Sequence, residues 1–282
     1  MKKFEGMLFC TDLDGTFFAS DKTASKENLD AIEYFKSQGG LFTFITGRVP
    51  QTAAAICRQI RPNAPYGCIN GGGIFDPVEN RYVWNTHVSP DVVELVREVD
   101  ARLPKIGIQL NTEQEVYFCK ESAAMVRFRR ISGLPLVFTP YEEVKGPVLK
   151  VVFAHDDEEQ ILALALLLSQ HPKAASFDFI RSEKHLYEIL PKGINKGVAL
   201  KKLADLLGVE MKNTVVAGDY NNDVAMLRAA GISFAVANAV PQAKEAADYV
   251  TVSNDESAIA AMIDGLDRGI YKINENKRRS ET

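Results

Sequence analysis

Short apolar runs alternate with helical segments along the first part of the chain. Met7–Thr11, Leu41–Ile45 and Tyr66–Ile69 are nearly continuous apolar runs, as is typical of strands buried on both faces of a parallel sheet. Between these runs, apolar residues recur every three or four positions, and Pro50 opens the second of the two helical segments. Strands that alternate with helices predict a parallel sheet with right-handed crossovers.

The pattern changes in the middle of the chain. Ile74-Phe75 and Tyr82–Trp84 flank the turn Asp76–Arg81, which predicts a hairpin. A helix begins near Ser89-Pro90, and a second one is predicted at Glu158–Ser169. Further strand-like segments lie at Ile106–Leu110, Val116–Phe118, Leu149–Ala154, Ser176–Ile180 and His185–Leu190. This block predicts an α+β domain with an open sheet.

The alternation of helices and strands returns after Lys196. The predicted elements are helix Gly197–Leu207, strand Thr214–Ala217, helix Asn222–Ala230, strand Ser233–Val236, helix Pro241–Ala246 and a last helix from Glu256. We therefore expect an α/β protein with a doubly wound, Rossmann-like parallel-sheet core made of residues 1–84 and 189–282. Residues 85–188 would form the inserted α+β domain. The polar tail, residues 274–282, is predicted to be frayed.

The composition is that of an ordinary globular protein. Of the 282 residues, 46% are hydrophobic and 25% are charged, which excludes disorder as the main state. The net charge of −4 argues against a dedicated nucleic-acid-binding protein. No two of the four cysteines form a C-x-x-C pair, which argues against zinc-ribbon and thioredoxin-like folds. The longest apolar run, Ile161–Leu168, is too short for a spanning helix, and we expect a cytoplasmic protein without a membrane partner.

Two acidic residues directly follow the first predicted strand. Asp12 and Asp14 lie two positions apart, so their side chains project to the same side of the strand end. Two such carboxylates repel each other unless a cation or a proton lies between them. Gly15 permits an abrupt change of chain direction. A turn with helix-capping acids would also explain this segment, whereas an EF-hand fits poorly because a glycine comes directly after the second acid.

Polar residues also follow two other predicted strands. Thr46-Gly47-Arg48 offers a hydroxyl, a flexible glycine and a guanidinium for a phosphate, although N-capping alone would explain Thr46. Asp219, Asn222 and Asp223 supply oxygen ligands of the hard kind that Mg²⁺ prefers, although capping would explain Asp223. The carboxyl ends of strands in open α/β sheets are where ligands bind.

Lys196 adds a positive charge to these acidic segments. It opens a predicted helix, where a cation is locally unfavourable unless it contacts an anion; a solvated surface lysine is the alternative. We expect these carboxylates, a hydroxyl and the lysine to converge at one edge of the sheet. This combination predicts Mg²⁺-assisted phosphoryl transfer with an aspartate as nucleophile.

These segments together resemble the four motifs of the haloacid dehalogenase superfamily. In the order of that family they are Asp12–Thr16, Thr46–Arg48, Lys196 and Gly218–Asp223. The inserted block resembles the α/β cap of the Cof-like hydrolases, and Asn70-Gly71 and Ala237–Ala239 match that subfamily as well. The resemblance covers essentially the whole chain.

The resemblance implies a phosphatase mechanism at the matching positions. Asp12 would be the nucleophile that becomes an aspartyl-phosphate, and Asp14 would protonate the leaving oxygen and then deprotonate water. Thr46 and Lys196 would bind the phosphoryl oxygens. Gly47, Arg48 and Asn70 would also contact the phosphate or the rest of the substrate.

The resemblance also implies a magnesium ion. Asp12, the backbone carbonyl of Asp14, and Asp219 would hold Mg²⁺, and Asn222 and Asp223 would complete or orient this set of ligands. The substrate would be a small phosphorylated metabolite, such as a sugar phosphate, selected by the inserted domain. A phospho-receiver signalling domain and a phosphosugar mutase are the alternatives, and the oligomeric state is open.

Overall fold

The computed structural model of the protein describes residues 2–272, so the tail predicted to be frayed, residues 274–282, lies outside the described residues. The chain divides into two compact units, one formed by residues up to Trp84 and from Asn195, the other by Asn85–Ile194. Sequence patterns had placed the second boundary between residues 188 and 189. The structure places it after Ile194, because the strand Leu186–Pro191 is paired on both sides within the inserted unit.

Most of the helices and strands lie where the sequence pattern predicts them. The first segment contains β1 (Leu8–Thr11), α1 (Lys26–Ser37), β2 (Leu41–Phe44), α2 (Pro50–Ile60), β3 (Tyr66–Cys68), β4 (Gly73–Asp76) and β5 (Arg81–Asn85). The inserted unit contains α3 (Val92–Arg102), β6 (Gly107–Thr112), β7 (Val116–Lys120), α4 (Ala123–Ser132), β8 (Val148–Ala154), α5 (Glu158–Gln170), β9 (Phe177–Glu183) and β10 (Leu186–Pro191). The last segment contains α6 (Lys196–Leu207), β11 (Thr214–Gly218), α7 (Val224–Ala229), β12 (Ile232–Ala235), α8 (Pro241–Ala246), β13 (Tyr249–Val250) and α9 (Ala258–Asp267).

A five-stranded parallel sheet forms the centre of the first unit. Its order is β13-β12-β11-β1-β2, and every neighbouring pair is parallel. All four residues of β1 are buried, which explains why its sequence is a continuous apolar run. β1 lies between β11 and β2, so the strand order reverses beside it, and this is the place where open α/β sheets bind ligands. The predicted α/β class is confirmed.

The third apolar run joins this sheet only at its edge, through a parallel bridge between Ile45 and Gly67. Its main partner is β4, with which β3 pairs antiparallel, and the strands form a further sheet in the order β3-β4-β5 that contains the predicted hairpin. The chain reverses in a 3₁₀ turn at Ile69–Gly71, where Ile69 and Asn70 have φ values of 57° and 52°. That left-handed backbone ends the strand directly after the bridge, so β3 pairs with the parallel sheet at one position.

The inserted unit contains an antiparallel sheet in the order β7-β6-β8-β10-β9. One face packs against α3 and α5 through an apolar cluster that includes Leu95, Ile108, Phe153 and Leu164. The sequence patterns did not predict α4. Its N-cap is Ser122, whose hydroxyl accepts a hydrogen bond from the backbone N–H of Met125. Among residues 2–272, no helix combines the length and apolar character needed to cross a bilayer.

Candidate active site

Three carboxylates converge at the carboxyl edge of the parallel sheet. Asp12 follows β1, whereas Asp219 and Asp223 follow the neighbouring strand β11. One carboxylate oxygen from each residue lies within 4.8 Å of the other two. Asp12 and Asp223 are buried, so these negative charges are held close together with little solvent to separate them.

Lys196 lies against two of these carboxylates. It is the first residue of α6, it is 1% exposed, and its Nζ donates hydrogen bonds to Asp12 Oδ1 and to Asp223 Oδ1, the latter at 2.7 Å. Burial alone would lower the pKa of Lys196, but Asp12 and Asp223 raise it above its ordinary value. The lysine is therefore a fixed positive charge inside the site.

The charge of Lys196 does not fully balance the acids. Burial raises the pKa of Asp12 well above its ordinary value, and Asp223 and Asp219 add to this effect although Lys196 opposes it. Burial and the Asp223 carboxylate raise the pKa of Asp219 to about 6. Three carboxylates with one ammonium group leave an excess of negative charge, and a bound cation would remove it.

The loop after β11 folds around Asp223. Asp223 Oδ2 accepts hydrogen bonds from the backbone N–H groups of Asp219 and Tyr220, at 2.9 and 3.0 Å. A Cβ atom at Gly218 would lie 2.6 Å from the Asp223 Cβ, so only glycine allows this close approach. Asp223 therefore holds the loop and Lys196 in place at the same time.

The turn after β1 is shaped to accept Asp219. Gly15 has a φ of +90°, and a Cβ atom there would lie 2.5 Å from Asp219 Oδ2. The hydroxyl of Thr16 donates a hydrogen bond to Asp219 Oδ1 at 2.8 Å. Sequence reasoning assigned no role to Thr16, although it belongs to the Asp12–Thr16 motif and its fixed spacing from Asp12 was the available signal.

Asp14 makes a separate contact with Arg48. Arg48 Nε donates to Asp14 Oδ2 and Nη2 donates to Oδ1, both at 2.9 Å, and Lys22 Nζ lies 3.3 Å from Oδ1. Burial would raise the pKa of Asp14, but Arg48 and Lys22 lower it below its ordinary value. The Asp14 side chain is thus directed to two cations and not to the three-carboxylate cluster. No sequence pattern predicted the contact with Lys22.

The Thr46–Arg48 loop is fixed by the turn after β3. The N–H groups of Ile69 and Asn70 donate to the carbonyl oxygens of Arg48 and Thr46, each at 3.0 Å. Thr46 is 2% exposed, and its Oγ1 accepts from the backbone N–H of Arg48. A Cβ atom at Gly47 would lie 3.0 Å from Asn70 Oδ1, which explains the glycine.

Two asparagines connect the loops at this edge. Asn222 Nδ2 donates to Asn70 Oδ1 at 3.1 Å, so the side chain of Asn222 is directed to Asn70. Asn238 Nδ2 donates to the carbonyl oxygen of Gly15 at 2.8 Å. The structure thus groups Asp12, Asp219, Asp223 and Lys196 tightly, and joins the other predicted site residues to them through loop contacts.

The sequence of this chain is similar to those of several known proteins. The sequence model of the haloacid dehalogenase-like hydrolase family matches residues 9–263. Two curated relatives come from Bacillus subtilis (strain 168), and both are named 5-amino-6-(5-phospho-D-ribitylamino)uracil phosphatase. YitU is 26% identical over 258 residues, which cover 91% of this chain and 96% of YitU. YwtE is 28% identical over 285 residues, which cover 92% of this chain and 98% of YwtE.

A solved structure shares the fold. It is a haloacid dehalogenase-like hydrolase from Bacteroides thetaiotaomicron, with a TM-score of 0.82 and 24% identity, and the match covers 92% of this chain and 98% of that one. Because the family match extends over nearly the whole chain, the protein belongs to the haloacid dehalogenase-like hydrolases. The resemblance inferred from the motifs is confirmed.

Proposed function

We propose that this haloacid dehalogenase-like hydrolase is an Mg²⁺-dependent phosphatase that cleaves small phosphate monoesters through an aspartyl-phosphate on Asp12. The observation that carries the proposal is the buried cluster of Asp12, Asp219 and Asp223 around Lys196, at the point where the strand order of the sheet reverses. This arrangement combines an aspartate nucleophile with positive charge for a phosphate.

The donor atoms of the cluster fit a magnesium ion. Asp12, Asp219 and the backbone carbonyl of Asp14 would hold it, and Asn222 and Asp223 would complete or orient these ligands. When bound, Mg²⁺ supplies positive charge that compensates the negative charge of the phosphoryl oxygens. The excess of carboxylates over lysine is the feature of this chain that calls for a divalent cation.

In the proposed reaction, Asp12 is the nucleophile and Asp14 transfers protons. An Asp12 carboxylate oxygen attacks phosphorus, the bond from phosphorus to the ester oxygen breaks, and Asp14 gives its proton to that leaving oxygen. Asp14 then takes a proton from water, which attacks phosphorus and releases inorganic phosphate from Asp12. Lys196 and Thr46 hold phosphoryl oxygens, so that Asp12 does not approach an uncompensated anion.

In this scheme Arg48 also influences the protonation of Asp14. In the absence of substrate it forms a bidentate ion pair that favours the ionised form of Asp14. An anionic phosphoryl group would compete for the same guanidinium, with Gly47 and Asn70 beside it. The pKa of Asp14 would then rise toward the range in which it can carry the proton for the leaving group.

The substrate is a small phosphorylated metabolite. Two curated relatives are named for a substrate whose phosphate is carried by a ribityl chain. A sugar or polyol phosphate is therefore the first class to test. The inserted unit, Asn85–Ile194, supplies the residues that select the leaving group, and the proposed location is the cytoplasm.

The test is a phosphate-release screen over sugar, polyol and nucleotide monophosphates with the purified full chain. EDTA should abolish release and added Mg²⁺ should restore it. Full activity in metal-free buffer would contradict the proposed mechanism. A stable phospho-Asp12 without turnover would instead identify a phospho-receiver domain, and an isomeric product without free phosphate would identify a mutase.

A further inference from the structure

A tight turn in the segment between β1 and α1 carries Lys22 to the side chain of Asp14. The Ala19 N–H donates to the carbonyl oxygen of Thr23 at 3.0 Å, and the Lys22 N–H donates to that of Ala19 at 2.8 Å. These two hydrogen bonds close a turn with three residues, 20–22, between its ends. The Lys22 Nζ atom lies 3.3 Å from Asp14 Oδ1, so the turn directs this ammonium group to the carboxylate.

The backbone of this turn does not favour a lysine at position 22. Lys22 has a φ of 67°, in the left-handed region that residues with a Cβ atom rarely adopt. Three-residue turns of this kind usually have glycine at the left-handed position, because glycine has no Cβ atom that could clash. A lysine at this position therefore costs stability that a glycine would not cost.

Neighbouring contacts hold the turn in this conformation. The Asp255 carboxylate accepts hydrogen bonds from the backbone N–H and from the hydroxyl of Ser20, at 2.7 and 2.8 Å. The buried side chain of Asn254 donates to the carbonyl oxygen of Phe18 at 2.9 Å. The backbone on the N-terminal side of Lys22 is thus fixed by contacts with a distant part of the chain.

The ion pair between Lys22 and Asp14 does not offset this cost. The Lys22 side chain is 65% exposed, and that of Asp14 is 34% exposed. Ion pairs with this degree of exposure contribute little to the free energy of unfolding. Backbone strain that persists without such a gain points to a role of Lys22 in function.

The two carboxylate oxygens of Asp14 have different partners. Arg48 Nε donates to Oδ2, whereas Arg48 Nη2 and Lys22 Nζ both lie against Oδ1. A phosphoryl group that attracts the Arg48 guanidinium would release Oδ2 and leave Lys22 at Oδ1. A protonated carboxyl group can donate from one oxygen while the other accepts a hydrogen bond. Oδ2 would then give the proton, and Oδ1 would accept from Lys22.

We propose that Lys22 is a positioning residue, which holds Asp14 Oδ1 so that Oδ2 carries the proton to the leaving oxygen. This inference rests on the proposed phosphatase function and adds a residue to its proton transfer. Without Lys22 the Asp14 carboxyl group can rotate about its Cβ–Cγ bond, and fewer of its orientations deliver the proton to the leaving oxygen.

The substitution Lys22→Gly separates positioning from a structural role. Glycine removes the ammonium group and relieves the left-handed backbone, so the melting temperature should stay equal or rise. The kcat/KM for simple alkyl monophosphates should fall about tenfold, a part of the roughly 10²–10⁴-fold that general acid–base catalysis contributes. Hydrolysis of dinitrophenyl phosphate should change little, because its leaving phenolate is stable without a proton. A role of Lys22 in folding or in holding the phosphoryl group would affect both esters alike.

Arg61→Gly is the matched control. Arg61 is also an exposed cation with a left-handed backbone, at a φ of 51°. The 11-residue helix α2 separates it from the Thr46–Arg48 loop by roughly 16 Å. This variant should likewise keep or raise the melting temperature, and it should leave kcat/KM unchanged for both esters.

Two further variants complete the test. Lys22→Arg keeps a cation in the turn, so it should retain more activity with alkyl monophosphates than Lys22→Gly does. If Lys22→Gly does not fold, Lys22→Asn also tolerates the left-handed backbone and removes the charge, and the same selective loss is expected.

The outcomes separate this inference from the proposed function. Equal losses for both esters, or no loss for either, would overturn the role of Lys22 and leave the phosphatase proposal in place. The same holds if Lys22→Arg is as slow as Lys22→Gly with alkyl monophosphates, because a cation would then not be the property that matters. If the wild-type chain hydrolyses neither ester, the phosphatase proposal fails, and the role of Lys22 fails with it.

Discussion

Each of the two units of this protein buries a lysine beside one or more carboxylates, and the balance of charge differs between them. Lys196 contacts two carboxylates and a third lies near them, so the edge of the parallel sheet holds an excess of negative charge. In the inserted unit, Lys150 forms a buried ion pair with Glu188. A bound cation would compensate the excess of carboxylates in the first arrangement, whereas the charges of Lys150 and Glu188 compensate each other. Charge balance therefore distinguishes the proposed catalytic site from a buried ion pair of the inserted unit.

Substitution of Asp12 should have the largest effect, because it removes the proposed nucleophile. Asp12→Asn should lower kcat by about 10⁴-fold or more for every ester. The melting temperature should stay equal or rise, since the change removes one charge from a buried cluster in which the pKa of Asp12 is raised. A mild loss of kcat would contradict the role of Asp12.

Substitution of Asp14 should cost less than that of Asp12. Asp14→Asn removes proton transfer but leaves the nucleophile, so kcat should fall about 10²–10⁴-fold. Its rapid-quench time course should show accumulated phosphoenzyme when breakdown of the intermediate becomes slow. If both aspartate variants lost the same modest amount of activity, the division of roles between them would be wrong.

Arg48→Ala tests whether a residue at the carboxyl edge of the parallel sheet affects kcat/KM equally for all esters. Arg48 contacts Asp14 and is proposed to contact the phosphoryl group, which every ester in the panel shares. The kcat/KM should therefore fall by the same factor, about 10²-fold, for every ester in the panel. Reordering of substrates by Arg48→Ala would place recognition at the sheet edge.

The smallest expected effect is a change with pH in how far Mg²⁺ raises the melting temperature. The pKa of Asp219 is raised to about 6, so its protonated form favours the folded, metal-free protein, and this contribution to stability is lost as the pH rises through about 6. Mg²⁺ requires the ionised form. The increase in melting temperature caused by Mg²⁺ should therefore be larger at about pH 7.5 than at about pH 5, by a few degrees. An equal increase at both pH values would exclude Asp219 as a ligand.

The sequence predicted those parts of the fold that depend on local pattern. β1 and β2 could be recognised because buried strands are apolar runs in the sequence. Lys196 could be recognised as a candidate site residue because a lysine is unfavourable at the start of a helix. The sequence patterns did not predict α4, which buries only Ala124 and Met125.

Contacts between distant residues were also beyond the sequence pattern. Arg48 and Asp14 are 34 positions apart, and nothing in either motif indicates that the two side chains meet. The ion pair between Lys150 and Glu188 likewise joins residues that are 38 positions apart, so no local pattern indicated it. Local sequence therefore indicated the type of chemistry but not the partners of each group.

The most direct test of the account is to trap the phosphoryl group on Asp12. The wild-type chain and Asp14→Asn are mixed with a phosphate ester and Mg²⁺, quenched in acid and reduced with borohydride, which converts an aspartyl-phosphate to homoserine. Peptide mass spectrometry should find homoserine at position 12, in greater amount for Asp14→Asn, and none when the substrate is omitted. Rapid release of phosphate with residue 12 always recovered as aspartate, or homoserine at another aspartate, would contradict the assignment of Asp12 as the nucleophile.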